Sequence, residues 1–209
     1  MMLLGKVKAQ HNNPFGNALI PDMIADASIQ EINGVFYCYA TTDGYGQGLK
    51  TSGPPVVWKS KDFVHWSFDG TYFPSAAKEK YWAPSKAIFA NGKYYIYPTI
   101  NGYMYPAVAD KPEGPFKIDH IQKTLPIQND VTGDQTLFQD DDGKAYIICS
   151  SANGRAYQYV IPLRESDFLD IDEENIKMLF YDEDGSYIDE NGEVDKKDKT
   201  GIEGNCMFK

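Results

Sequence analysis

The sequence is poor in several features that would each fix a function class. Cysteine is scarce, with only Cys38, Cys149 and Cys206. Their number is odd and no two lie at metal-ligand spacing, so neither a disulfide framework nor a zinc site is written into the chain. Each sits in an apolar run and reads as a buried free thiol. Long apolar runs are missing too. The N-terminal Met1-Met2-Leu3-Leu4 is too short for a signal-peptide core or a membrane span, and no other segment could cross a bilayer. A membrane is therefore not an expected partner. Basic charge is in deficit: 20 Lys and Arg stand against 30 Asp and Glu, for a formal net charge of -10. Such a surface repels phosphate backbones and argues against nucleic acid as a partner. No segment of useful length carries a helical period.

Aromatic residues are plentiful: 15 Tyr, 11 Phe and 3 Trp. They suit β-strands, and their rings also suit the C–H faces of sugars. Gly, Pro, Asn and Asp recur throughout, as in a turn-rich all-β chain.

Three segments share one grammar. Each has a short strand, an Asn-Gly or Asp-Gly pair and an aromatic-rich strand. They run Ala25–Ala40 around Asn33-Gly34, Trp82–Tyr97 around Asn91-Gly92, and Gly133–Cys149 around Asp142-Gly143. All three turn pairs suit type I′ hairpins, in which both central residues have positive φ. Gly34 and Gly92 are 58 residues apart, Gly92 and Gly143 are 51 apart, and such periods predict propeller blades. Outer strands are expected at Pro55–Ser60 and His65–Phe68, at Tyr103–Ala109 and Phe116–Ile118, and at Ala156–Ile161. Asp182–Lys199 reads as a surface excursion with a small hairpin, and its Asp spacing does not fit an EF-hand loop. A fourth unit starts at Gly201-Ile202-Glu203-Gly204. Residues 1–12 read as an N-terminal tail or the remnant of a trimmed signal. Residues 13–209 read as a partial propeller of about three blades and the first strand of a fourth; the rest lies in further chain, is supplied by a second chain, or is missing from a shortened gene product.

The unit starts carry acids. Asp26, Asp134 and Glu203 each open a repeat. In a propeller the first strand of each blade lines the central channel, so acids at one place in successive blades converge on one pocket. Trp82 holds the same place in the second unit. His11, His65 and His120 do not fall at unit starts.

The motifs at these places resemble glycoside hydrolase family 43. Ala25-Asp26-Ala27-Ser28 is similar to the Ala-Asp-Pro-Ser element that opens its catalytic domains, with Ala27 in place of Pro. Trp82-Ala83-Pro84 matches its Trp-Ala-Pro element. Ser60-Lys61-Asp62 followed by Trp66 is similar to its Ser-x-Asp-x-x-x-Trp segment, and Pro112-Glu113-Gly114-Pro115-Phe116 to another common segment. Gly133-Asp134-Gln135-Thr136-Leu137-Phe138 with Asp141-Asp142-Gly143-Lys144 resembles its second acidic element. Ile202-Glu203-Gly204 resembles its Glu-Gly element, with Asn205 where Pro is frequent.

The resemblance implies a five-bladed β-propeller and an inverting glycosidase with a carbohydrate substrate. By it, Asp26 is the general base, Glu203 the general acid, and Asp134 the residue that raises the acid's pKa and orients it. Inverting hydrolysis needs base and acid about 6.5–9.5 Å apart, leaving room for a water. A neighbouring anion keeps the acid protonated near neutral pH. Asp22 is the second candidate for the base. Trp82 is the expected wall of the sugar subsite. α-L-Arabinofuranosidase or β-xylosidase activity comes first, with exo-galactanase or galactofuranosidase as the alternative within the family. A non-catalytic carbohydrate-binding or inactive propeller is the alternative outside it. No cofactor or catalytic metal is expected. Some members hold a structural cation in the channel, for which the sequence shows no ligand set. Enzymes of this type are commonly exported, so a secreted or periplasmic location is expected.

Overall fold

The computed structural model describes residues 20, 24–42, 54–74, 81–82, 84–101, 103–118, 133–150, 157–165, 167–181, 187–188 and 194–195. These residues form an all-β array of three blades. The first blade is an antiparallel meander of β1 (Ile24–Ile32), β2 (Val35–Thr42), β3 (Val56–Ser60) and β4 (Trp66–Thr71). Seven strands follow: β5 (Tyr81–Trp82), β6 (Ile88–Ala90), β7 (Lys93–Ile96), β8 (Thr99–Ile100), β9 (Tyr103–Met104), β10 (Ala107–Ala109) and β11 (Lys117–Ile118). Of these, β6, β7, β10 and β11 make the second blade, while β5, β8 and β9 form a small three-stranded sheet. The third blade is β12 (Gly133–Gln139), β13 (Ala145–Ser150) and β14 (Tyr157–Arg164), completed by β15 (Asp167–Ile171) and β16 (Lys177–Tyr181). A two-stranded hairpin, β17 (Tyr187–Ile188) and β18 (Val194–Asp195), stands in the acidic excursion, as expected.

The outer strands differ from expectation in two places. Tyr103–Ala109 is not one strand but two, β9 and β10. Pro106 between them has no N–H for a ladder, and the Tyr105 amide donates instead to the Pro98 carbonyl at 3.1 Å. In the third blade β14 is long enough to pair with β16 along its first half and β15 along its second. The start of the fourth unit, with Glu203 and Cys206, lies outside the described residues, as do residues 1–12.

Turn chemistry separates the three hairpins. Asn33 and Gly34 have φ of 53° and 76°, and Asn91 and Gly92 have 49° and 74°, the left-handed pairs that type I′ turns require. The third turn is a correction. Asp142 is not left-handed; only Gly143 is, at φ 85°. The Gly143 amide donates to the Asp140 carbonyl at 2.9 Å, and the Asp140 amide to the Lys144 carbonyl at 2.8 Å, closing a longer loop. Carboxylates stabilise it, because Asp140 and Asp142 side chains accept from the Asp141 and Lys144 amides at 2.7 and 3.0 Å.

The core lies at the seams between blades. Tyr39, Val57, Tyr72, Ile96 and Phe116 fill the seam of the first two blades. Tyr97, Leu137, Ile147, Ile161 and Phe168 fill the seam of the second and third. Burying one such aliphatic or Phe side chain stabilises by about 1.5–3 kcal/mol. Buried tyrosines also need partners for their hydroxyls. Tyr39 Oη donates to the Pro112 carbonyl at 2.6 Å, and Tyr97 Oη to the Phe168 carbonyl at 2.8 Å. The Pro112–Phe116 motif is a clasp on the first seam. The Phe116 amide donates to the Tyr72 carbonyl at 2.8 Å. Gly114 has φ 85°, and a Cβ there would stand 2.4 Å from the Tyr72 carbonyl oxygen, so only glycine fits.

The Ser60–Trp66 motif builds the β3–β4 turn. Asp62 accepts from the Val64 and His65 amides at 2.9 and 2.7 Å and pairs with His65 Nδ1 at 2.6 Å. Hydrogen bonds from the His65 backbone and ring, then the Val64 amide, hold the Asp62 carboxyl well below the usual range. Cys38 and Cys149 are buried free thiols, as expected, with burial pushing their pKa up to about 11 and about 12.

Candidate active site

The inner strands of the blades converge. β12 touches both β6 and β8. A groove of about 520 Å³ is lined by Gln30 and Ile32 of β1, Ala87 and Ile88 at β6, and Leu137 and Gln139 of β12. All three blades thus contribute first-strand residues to this groove.

Asp26 and Asp134 occupy equivalent places in that frame. In β1, Ala25 pairs with Thr41 and Ser28 with Tyr39, so Asp26 and Ala27 together face the single residue Ala40. In β12, Gly133 pairs with Ser150 and Thr136 with Ile148, so Asp134 and Gln135 face the single residue Cys149. Each acid is thus the first residue of a two-against-one β-bulge at the start of an inner strand. A bulge breaks the ladder, bends the strand and re-aims its side chains, and bulges concentrate beside active sites. Asp26 has φ 50°, unusual for a non-glycine residue but tolerated by Asp, and it is exposed.

Different contacts hold the two bulges. In the first blade, Thr41 Oγ1 donates to the Ala25 carbonyl at 3.2 Å, within one sheet. In the third, Gln135 is 3% exposed and reaches across to the segment that joins the second blade to the small sheet. Its Oε1 accepts from Thr99 Oγ1 at 2.7 Å, and its Nε2 donates to the Tyr97 carbonyl. Thr99 pairs across the small sheet with Trp82. Trp82 and Asp134 are therefore joined through Thr99 and Gln135. Glu203 and Asp22 lie outside the described residues. Gln135, which the sequence reading did not single out, is the added member of the site.

Among the described residues, no group of three or more His, Cys, Asp and Glu side chains could hold a metal ion.

Two of the acids that open repeat units thus stand at matching register positions of inner strands, on the first and third blades. The sequence profile of glycosyl hydrolases family 43 matches residues 15–200. The chain belongs to that family. It is 27% identical over 157 residues to a β-xylosidase of Xylanibacter ruminicola, covering 66% of this chain and 48% of that protein. It is 29% identical over 143 residues to a xylosidase/arabinosidase of Humicola insolens, covering 59% and 42%. A solved glycoside hydrolase is 68% identical and superposes with a TM-score of 0.68, covering 80% of this chain and 39% of that one. The chain thus spans less than half the length of the curated relatives it matches.

Proposed function

We propose that this chain carries catalytic acids of an inverting glycoside hydrolase of α-L-arabinofuranosidase or β-xylosidase type, acting on plant-type polysaccharides or their oligosaccharides. The observation that carries the reading is the pair of equivalent bulges, each opening on an aspartate. The sugar class is supported by the xylosidase and xylosidase/arabinosidase relatives.

In this reading Asp26 takes a proton from a water as its oxygen attacks the anomeric carbon. The glycosidic C–O bond breaks on the opposite face, and the leaving oxygen takes the proton of Glu203. The product has the inverted configuration. Asp26 is exposed, as a base that works on water requires. Asp134 supplies the negative charge that keeps Glu203 protonated. Trp82 offers a wall for the sugar. A polysaccharide substrate does not cross a bilayer, so the same reading puts the protein outside the cell or in the periplasm.

The test is hydrolysis of p-nitrophenyl α-L-arabinofuranoside and β-D-xyloside by the protein and by Glu203→Gln. Turnover by the parent, reduced on the order of 10²–10⁴-fold in the variant, is expected. A folded parent that turns over neither substrate overturns the assignment. Turnover of a β-1,3-galactan or a galactofuranoside alone moves it to the alternative within the family.

A further inference from the structure

We propose that Gln135 and Thr99 are positioning residues, a cross-blade brace that fixes where Asp134 stands relative to the acid it serves. The inference rests on the reading of Asp134 and Glu203 given above.

Gln135 is the second residue of the bulge, bonded directly to Asp134 along the chain. Two residues of a bulge share one partner, so the ladder alone leaves their backbone underdetermined. Another restraint must set the direction of the strand there. The buried Gln135 amide provides it at both ends, accepting from Thr99 Oγ1 at 2.7 Å and donating to the Tyr97 carbonyl. Its anchors are themselves fixed. The Tyr97 amide donates to Ser85 Oγ at 2.9 Å, and Tyr97 Oη donates to the Phe168 carbonyl at 2.8 Å, both buried. Thr99 is held in β8 opposite Trp82.

The first blade supplies the control. There the second bulge residue is Ala27, which has no polar side chain, and the bulge forms all the same. A bulge in this fold therefore does not need an amide brace. The brace is particular to the blade whose acid must act on another carboxyl at a distance. Coulomb interaction falls with separation and is strongest where water is excluded. A modulating carboxylate must accordingly be held in place.

The variants are Gln135→Met, which keeps shape and removes both hydrogen bonds, and Thr99→Val, which removes only the hydroxyl. Thr99→Ser keeps the hydroxyl and is the conservative control. Loosening Asp134 withdraws negative charge from the acid, so the acid loses its proton more readily. The alkaline limb of the kcat–pH profile should move to lower pH. With a poor leaving group kcat should fall about 10-fold, and with p-nitrophenolate about 2-fold or less, because a good leaving group needs little protonation. KM should stay near the parent value, and Thr99→Ser should restore profile and rate.

Folded Gln135→Met and Thr99→Val proteins with the parent's pH profile and leaving-group dependence overturn the brace. If Gln135→Met does not fold, the Thr99→Val and Thr99→Ser pair decides by the same readouts. Glu203→Gln is measured alongside. If it is inactive while Thr99→Val behaves as the parent, the brace alone fails. If Glu203→Gln keeps parental turnover, the acid assignment fails and the brace falls with it.

Discussion

The bulges of the first and third blades share one register, two residues against one, and have two kinds of support. At Asp26 the restraint is local: a threonine of the neighbouring strand holds the Ala25 carbonyl. Beside Asp134 the restraint leaves the third blade through Gln135, to Tyr97 and to Thr99 of the small sheet. The seams differ in a matching way. The first seam is clasped by Pro112–Phe116, against the Tyr72 backbone and the Tyr39 hydroxyl. The second seam is pinned beside the acid itself. A repeated element thus places two aspartates at the same register position of their strands, with different supports. On the proposed reading, one acid works on water and the other, beside the brace, works on a third acid.

Breaking the first seam should cost stability and leave the chemistry alone. Gly114→Ala puts a Cβ against the Tyr72 carbonyl and an L side chain at φ 85°. A loss of about 2 kcal/mol or more is expected from the left-handed backbone and the clash together. Thermal unfolding reads it as a lower Tm, while the kcat–pH profile keeps its shape. A Tm equal to the parent's would show that the clasp is not a rigid part of the seam.

A smaller effect sharpens the comparison of the bulges. Thr41→Val removes the one hydroxyl that holds the Ala25 carbonyl and keeps the side-chain shape. It should cost about 1 kcal/mol, the worth of a single hydrogen bond. Any fall in kcat should be the same for good and poor leaving groups, since the base alone is disturbed. A leaving-group dependence like that expected of Thr99→Val would erase the distinction between the two supports.

Much of the architecture is legible in the sequence because its signals are local. Asn33-Gly34 and Asn91-Gly92 specify their turns by backbone preference alone. The acids and the tryptophan at the unit starts follow from the repeat. Asp142-Gly143 misleads because the neighbouring Asp140 and Asp142 carboxylates cap amides of a longer loop, a choice the dipeptide does not reveal. The division of Tyr103–Ala109 was available in Pro106, whose missing N–H interrupts a ladder. The outer strands of the third blade escape because both lean on one long neighbour, a pairing that no single segment announces. Gln135 is beyond local reading altogether. It sits beside a marked aspartate, yet its partners Thr99 and Tyr97 are 36 and 38 positions away. Only the folded seam shows that an amide next to an acid is a brace.

The division of labour between the two bulges is tested most directly by leaving-group dependence in Asp26→Asn and Asp134→Asn, measured on a series of aryl glycosides. If Asp26 activates water, its variant slows all leaving groups by a similar factor, leaving the dependence parallel to the parent's. If Asp134 sustains the acid, its variant loses most on the poorest leaving groups, and the dependence steepens. Parallel lines for both variants, or a steeper line for Asp26→Asn, would contradict the account.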